Sequence, residues 1–407
     1  MHAVLSSDEV PEGIPQPLPR PSGAVELSIV LPCLNEADTI GICVAKAMRV
    51  IAEHEIDAEV IVADNGSTDG SQEIARKLGA RVLDVADRGY GLALRGGIEA
   101  ARGKYILMAD ADDSYDLLEI PRFYQKLTEG FDLVQGCRLP VGGGTVQPGA
   151  MPLLHRWWGN PQFSLLARWW FKSPVNDIYC GMRAFTRECY HRLGLRCTGM
   201  EFATEMIIKA ARYEARIAEV SITLHPDGRK ARLPHLRTFR DGWRTLRFFL
   251  MVSPRWLFLE PGKLLVVLGL IGYILALPGL VVRGVHFSAH TLVFASMLIL
   301  CGYHAILFAI GVKTYAITQK ITPRDARIDA ILRHVTPERG FLAGGGIMLI
   351  GATLFAVALW RWRSVGFGNL DYDRTMRWVV PGCTLIALGF ETILAGFFFG
   401  ILQFFRK

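Results

Sequence analysis

Between Val25 and Leu224, short β-rich runs alternate with segments whose apolar residues recur every three or four positions, the pattern of a mainly parallel sheet flanked by helices. Leu27–Leu31, Val60–Ala63, Tyr105–Met108 and Leu133–Val134 read as strands, and Ile217–Leu224 as a later one. Helices are predicted over Ala37–Glu53, Gln72–Leu78 and Leu92–Ala101. The last third is different: about 264–282, 291–312, 341–360 and 378–405 are each long and apolar enough to cross a bilayer as a helix. His304 and Glu391 are the ionisable residues inside these stretches. An intramembrane carboxylate points to function, or else to an interhelical hydrogen bond or a protonated structural group. Just before the first stretch, Leu236, Phe239, Trp243, Leu246 and Phe249 or Leu250 form one stripe and Arg237, Arg240, Arg244 and Arg247 a second. That amphipathic helix suits anionic headgroups, although a core-packed surface helix shows the same pattern. Ile328, Ile331, Leu332 and Val335, among Arg324, Arg327 and Arg333, form a weaker second candidate. The resulting divisions are a Pro-rich tail over 1–24, read as disordered, an α/β domain over 25–232, interfacial helices over 233–262 and a membrane domain over 263–405.

Charged residues make up 20% of the 407 positions, below the roughly 25% of soluble domains, and the four stretches account for the deficit. Lys and Arg crowd one side of them (Arg237 to Lys263, Lys313 to Arg339, Arg406 and Lys407) and are sparse on the other (Arg283, then Arg361 to Arg377). Cytoplasmic loops hold such an excess, so both termini and the α/β domain are expected at the cytoplasmic face of a multi-pass protein of the inner membrane. The 8 cysteines contain no C-x-x-C pair, which argues against a zinc ribbon or a disulfide framework and fits a reducing compartment. The first 24 residues have no apolar core of a secretory signal. A net charge of +7 does not point to nucleic acid, because juxtamembrane and loop arginines supply much of it.

Ligands of open α/β sheets bind beyond the carboxyl ends of the strands, and polar motifs stand at those places here. Pro32-Cys33-Leu34-Asn35-Glu36 follows the first strand, and Asp64-Asn65-Gly66-Ser67-Thr68-Asp69-Gly70 the second. Their amides and carboxylates suit a nucleobase or ribose, or equally a turn and helix cap. Ala109-Asp110-Ala111-Asp112-Asp113-Ser114 follows the third strand. Three carboxylates within four residues repel one another unless a cation intervenes, and hard cations shared with a diphosphate take such ligands; a solvated acidic turn is the alternative.

Taken in order, L-P-C-L-N-E, V-A-D-N-G-S-T-D-G-S, M-A-D-A-D-D, G-C-R and D-I-Y-C-G-M-R-A-F resemble the family 2 glycosyltransferases of the GT-A fold, over about Glu26 to Leu250. Within that family they are most similar to the polyprenyl-phosphate glycosyltransferases, the dolichol-phosphate mannose and glucose synthase group. The resemblance implies that Pro32, Asn35, Glu36, Asp64, Asp110, Ala111, Asp112, Glu205 and Arg229 bind a nucleotide sugar, although Glu205 would equally cap a helix or pair at a surface. It places Mg²⁺ or Mn²⁺ on Asp110 and Asp112, with Ser114 where the family has a Gln. Arg138, Arg156 and Asn160 match the segment that holds the acceptor phosphate; Arg156 beside Trp157 and Trp158 would equally serve as an interfacial anchor. Asp177 and Arg183 fall where the family has Asp-Pro-x-Ser-Gly-x-Arg, with Pro absent and Cys180 in place of Ser. The basic loop D-G-R-K-A-R, with Arg229, Lys230 and Arg232, closes over the donor diphosphate or touches headgroups.

The implied reaction moves a hexose from a nucleoside-diphosphate sugar, of UDP-glucose or GDP-mannose type, to a polyprenyl (undecaprenyl or dolichyl) phosphate. Asp110, Asp112, Arg138 and Arg156 would carry it. A phosphate monoester with a second pKa of about 6 is already an anionic nucleophile near neutrality. A single in-line displacement inverts the anomeric carbon. A transferase for another lipid or for a polysaccharide remains an alternative, although the Q-x-x-R-W motif of processive synthases is missing. A non-catalytic membrane scaffold is the alternative of another class, and oligomeric state is left open.

Overall fold

A computed structural model describes residues 24–229, 238–319 and 322–404, with side chains 238–241 left out. The expected tail, Lys230, Arg232, Leu236, Arg237, Lys320 and Phe405 to Lys407 therefore lie outside the described residues, as do the side chains of Phe239 and Arg240. The chain forms two compact units, Met1–Leu246 and Arg247–Lys407.

In the first unit the elements run β1 (Leu27–Cys33), α1 (Ile40–Glu53), β2 (Ala58–Asp64), α2 (Ser71–Lys77), β3 (Arg81–Asp84), α3 (Tyr90–Ala100), β4 (Tyr105–Met108), α4 (Ile120–Thr128), β5 (Leu133–Cys137), β6 (Thr145–Val146), α5 (Asn160–Phe171), β7 (Arg183–Thr186), α6 (Arg187–Leu193), α7 (Glu201–Arg212), β8 (Ile217–Ser221) and β9 (Thr223–Leu224). Seven strands form one sheet in the order β3-β2-β1-β4-β7-β5-β8, and the short β6 and β9 pair separately. All pairings in the large sheet are parallel except those of β7, which runs against both β4 and β5.

β1 is apolar at every position but Ser28, because helices cover both of its faces. Leu27, Ile29 and Leu31 join Ile40, Cys43, Val44, Ala47 and Val50 of α1 in the core. On the other face α3 comes so near that a Cβ at Gly97 would meet Val30 Cγ1 at 2.5 Å. α1 starts at Ile40, three residues later than predicted. Glu36 and Ala37 instead send their backbone N–H groups to Ser71 Oγ and Asp69 Oδ2, at 2.8 and 3.0 Å, which keeps them in the loop. The expected Ile217–Leu224 strand divides at Ile222: β8 joins β5, and β9 leaves to pair with β6.

α8 (Thr238–Val252) runs through the division between the units. Its predicted lipid stripe is split, with Trp243 exposed and Phe249 fully buried. Six residues of helix turn through about 600°, so Phe249 stands well off the Trp243 face whereas Leu250 returns to it.

Four helices of the second unit are long and apolar enough to cross a membrane: Arg255–Ala276, Ala289–Thr318, Pro337–Ser364 and Tyr372–Phe404. The first comprises a widened opening turn followed by α9 (Glu260–Ala276). It ends six residues before the predicted Val282, because Pro278 disfavours helix at the residue before it and Gly279 takes a φ of +71°. α10 (Ala289–Thr318), α11 (Ala326–His334), α12 (Pro337–Ser364) and α13 (Tyr372–Phe404) complete the unit. Glycines seven residues apart let the helices meet backbone to backbone. A Cβ at Gly262 or Gly269 of α9 would approach Gly302 O or Ala295 O of α10 to 2.9 and 2.7 Å. Between α12 and α13, a Cβ at Gly344 would lie 2.4 Å from Gly389 O, and one at Gly351 2.6 Å from Gly382 O. Such seams hold helices in lipid by dispersion, where the hydrophobic effect gives no drive. His304 Nδ1 stands 3.8 Å from Glu391 Oε1, linking α10 to α13.

Candidate active site

Parallel pairing of β1 with β2 and β4 brings three strand ends together, with Cys33 opposite Asp64 and Val30 opposite Met108. The loops beyond them carry most of the predicted site. Asn35 takes a left-handed φ of +58°, which Asn tolerates better than most residues. Its Oδ1 accepts from Thr68 N at 2.7 Å, and its own N–H donates to Ser67 Oγ at 2.8 Å. Asp64 is buried; its Oδ2 accepts from Gly66 N, Ser67 N and Gln72 Nε2 at 3.0, 2.9 and 2.7 Å. Its Oδ1 is buried with no partner among the described residues. Pro32 lies within β1, and Ala111 is buried between the two metal-site candidates.

The acidic loop after β4 sorts its carboxylates. Asp113, at a φ of +60°, is neutralised by Lys46 Nζ of α1 at 2.9 Å. Asp110 Oδ1 accepts from the Tyr90 hydroxyl at 2.8 Å. Its Oδ2 lies against Gly181, where a Cβ would come within 2.6 Å. Burial, then the charge of Asp112, pushes the Asp110 carboxyl up to about 6, with Tyr90, Arg138 and Arg229 pulling the other way. The same burial, reinforced by Asp110, raises the Tyr90 phenol well above its ordinary value, so it stays a donor. Asp112 Oδ1 accepts from Ser114 N and Oγ at 3.1 and 2.6 Å, and Oδ2 lies 3.7 Å from Arg229 Nη2. Ser114 therefore orients Asp112, spending its hydroxyl proton on that carboxylate.

Among the described residues no cluster of three or more His, Cys, Asp or Glu could hold a metal unaided. The donor set nevertheless fits a hard cation that takes one or two carboxylates and completes its shell with phosphate oxygens and water. Burial and the neighbouring Asp112 push the Asp110 carboxyl up to about 6, and a cation bound between the two would favour its ionised form.

Three predicted residues stand elsewhere. Arg138 fills its fork with Asp177, Nε to Oδ2 at 2.7 Å and Nη2 to Oδ1 at 3.0 Å, while Nη1 donates to the Tyr115 hydroxyl at 3.3 Å. Burial would lower its pKa, yet the Asp177 charge lifts it well above the ordinary value. In this arrangement the guanidinium is occupied by Asp177 and not by an acceptor phosphate. Tyr115 also accepts from Gly181 N at 2.8 Å, so the Arg138–Asp177 pair braces the wall behind Asp110. Asn160 is buried at the start of α5 with Nδ2 3.4 Å from Met151 Sδ, not open to a phosphate. Glu205 is bound within the protein. Its carboxylate accepts from Arg196 N and Cys197 N at 2.9 and 2.8 Å and pairs with Lys209 Nζ at 2.7 Å, which pins the loop before α7. Arg156 differs from all three: it has no carboxylate partner among the described residues, its guanidinium stacks 5.3 Å over Trp157, and its Nε is buried without a partner.

Tyr90, Lys46, Tyr115 and Gly181 escape sequence reasoning. Tyr90 and Gly181 sit in glycine-punctuated motifs that hint at close packing, whereas nothing local marks Lys46, 67 residues from Asp113.

A mixed α/β sheet with an acidic pair at its strand ends, joined in one chain to four membrane-length helices, defines a membrane-attached transferase of activated groups. Residues 28–194 match the family model for glycosyl transferase family 2, and residues 310–403 match its C-terminal transmembrane region. The low-salt glycan biosynthesis hexosyltransferase Agl6 of Haloferax volcanii is 34% identical over 93% of this chain and 89% of that protein. The dolichyl-phosphate hexose transferase of the same organism is 35% identical over 48% of this chain and 82% of its own length. Among solved structures, glucosyl-3-phosphoglycerate synthase from Mycobacterium tuberculosis, in complex with Mn²⁺, UDP and glucosyl-3-phosphoglycerate, aligns at a TM-score of 0.41 and 22% identity, covering 58% of this chain and 84% of that one. The chain belongs to glycosyltransferase family 2.

Proposed function

We propose that the protein transfers a hexose from a nucleoside-diphosphate sugar to the phosphate of a polyprenyl lipid, with inversion at the anomeric carbon. The observation that carries the donor half is the sorting of the acidic loop. Lys46 neutralises Asp113 and leaves Asp110 and Asp112 as the adjacent carboxylates at the strand end, with Arg229 the cation near Asp112 at 3.7 Å. Asp112 would hold Mg²⁺ or Mn²⁺, with Asp110 beside it and Ser114 fixing its angle. A bound cation there supplies charge stabilisation for the departing nucleoside diphosphate. Tyr90 keeps Asp110 in place, and the buried Asp64 Oδ1 offers an acceptor for a base N–H.

For the acceptor, Arg156 supplies a cation with no carboxylate partner among the described residues, its Nε buried without a hydrogen bond there, and its planar fork suits a phosphate. It stands among exposed apolar residues: Leu154 and Trp158, just before and in the widened helical turn His155–Gly159 that leads into α5, and Leu165 and Trp169 on α5 itself, follow one another at near-helical spacing and are all exposed. A Trp-rich face of this kind lies in the headgroup region, where an isoprenoid phosphate is presented. The similarity to a dolichyl-phosphate hexose transferase supports the same acceptor class. The Lys and Arg asymmetry supports a cytoplasmic catalytic unit, where nucleotide sugars are made.

The test is nucleoside diphosphate release by the purified protein in detergent, with undecaprenyl or dolichyl phosphate, Mg²⁺ or Mn²⁺ and a panel of UDP- and GDP-sugars. Release from one donor that needs the lipid phosphate and disappears in Asp112→Asn is expected, and Arg156→Gln should raise the KM for the lipid. Release indifferent to the lipid phosphate would sink the acceptor assignment.

A further inference from the structure

The segment after β9 is strapped onto the acidic loop. His225 N donates to Ser114 O at 2.9 Å, and Gly228 N donates to Asp112 O at 3.0 Å. These bonds deliver Arg229 into a carboxylate pocket. Its Nε donates to Glu36 Oε2 at 2.8 Å, Nη2 reaches Glu36 Oε1 at 2.5 Å and lies 3.7 Å from Asp112 Oδ2, and Nη1 donates to Asp227 Oδ2 at 2.9 Å. The side chains of Arg229, Glu36 and Asp112 are all mostly shielded from solvent. Burial alone would lower the Arg229 pKa, but Glu36, then Asp112 and Asp227, push it above the usual guanidinium range.

A divalent cation binds a carboxylate oxygen at about 2.0 to 2.1 Å, so an ion on Asp112 would share that oxygen's near surroundings with Arg229. Like charges within about 4–6 Å disfavour each other. We propose that Arg229 is a resident counter-charge that the metal must displace, and that the guanidinium, once turned from Asp112, neutralises the donor diphosphate. This rests on the metal site assigned above. One residue then opposes metal binding in the empty protein and favours nucleotide binding in the loaded one, which ties the two into an order: cation exchange first, diphosphate capture with it.

The consequence is a substitution with effects of opposite sign. Free Mn²⁺ is followed by its electron paramagnetic resonance signal during titration into the full chain in detergent, without nucleotide; UDP and GDP are then titrated at saturating Mn²⁺ by calorimetry. Coupling between neighbouring sites typically changes affinity about 5- to 150-fold, and at the low end of that range Arg229→Gln should bind Mn²⁺ about fivefold to tenfold more tightly and the nucleotide about tenfold more weakly. Arg229→Met, which keeps no hydrogen-bonding group, should behave alike, and Arg229→Lys, which keeps the charge, should retain the wild-type resistance to Mn²⁺. Unchanged or weaker Mn²⁺ binding in both neutral variants overturns the exchange. Asp112→Asn separates the two levels: if it abolishes Mn²⁺ binding while the Arg229 variants leave it unmoved, the exchange alone fails, and if Mn²⁺ still binds, the metal site itself is wrong and the exchange falls with it.

Discussion

Cutting one side of the Arg138–Asp177 pair should cost more than any surface change in the chain. Side-chain exposure is 9% for Arg138 and 0% for Asp177, so solvent does not screen the pair. Removing one partner of a buried ion pair costs about 3 to 5 kcal/mol, because the survivor stays desolvated. The two deletions are not equivalent. Without Arg138 the Asp177 carboxylate still accepts from the backbone N–H groups of residue 138 and Tyr179, at 3.1 and 3.2 Å. Without Asp177 the guanidinium keeps just the Tyr115 hydroxyl among its described partners. Asp177→Ala should therefore exceed Arg138→Met. At about 2 to 4 °C per kcal/mol for a domain of 150–250 residues, the melting point of the first unit falls by roughly 6 to 20 °C. Tryptophan fluorescence on heating the full chain in detergent reads this. Arg138→Met/Asp177→Leu, which removes both charges, should recover most of the loss. A shift below about 2 °C for Asp177→Ala, or a double variant no better than the worse single one, would refute the bracing role and return Arg138 to the acceptor.

Other outcomes follow from the same geometry. Tyr90→Phe removes a hydrogen bond to an ionisable carboxylate, worth about 1.5 to 3 kcal/mol, and should lower kcat/KM at least tenfold together with a melting-point drop of roughly 3 to 12 °C. Gly181→Ala drives a methyl to within 2.6 Å of Asp110 Oδ2, so Mn²⁺ affinity should drop in a chain that still folds, as read by the same resonance titration. Cys33, Cys43, Cys137, Cys180 and Cys189 are buried, and burial pushes their thiols up to about 11 or 12. Maleimide at neutral pH should leave all five unlabelled until denaturant is added, with mass spectrometry as the readout. Gly344→Leu sets a branched side chain against Gly389 O and should loosen the α12–α13 hairpin, seen as lowered thermal stability in detergent and faster proteolysis.

The strands that bear the site are legible because a strand covered on both faces is one apolar run, and β1, β2 and β4 are such runs. β3 and β7 are not: four residues with a charge in each give no period. Arg183 of β7 is fully buried, with its charge accommodated by the carbonyls of Cys180 and Ala203, partners that are distant or non-periodic in the chain. The same limit governs the site. D-x-D can be read from spacing, but which of three carboxylates remains available depends on Lys46, and whether Arg138 is available depends on Asp177, 39 residues away. For Glu205 the spacing leaves a sugar contact and a cap or ion pair equally open, and its partners here are two backbone N–H groups and Lys209. The membrane helices are plain from hydropathy alone; their glycine seams are periodic in the sequence yet invisible to a count of apolar residues.

The inverted strand β7 also sets a schedule for synthesis. β4 pairs with β1 on one edge, and its other edge is closed by β7, whose Thr186 lies opposite Tyr105 about eighty residues earlier. At about 5 to 20 residues per second, the ribosome takes several seconds to supply the missing strand. Throughout that interval Tyr-Ile-Leu-Met is an open, apolar strand edge, the kind that recruits other chains. Gly181 emerges just ahead of β7, so the wall behind Asp110 arrives with the same strand. A nascent chain that stalls inside α5 therefore carries Asp110 and Asp112 but not the wall behind them, with the β4 edge exposed to association.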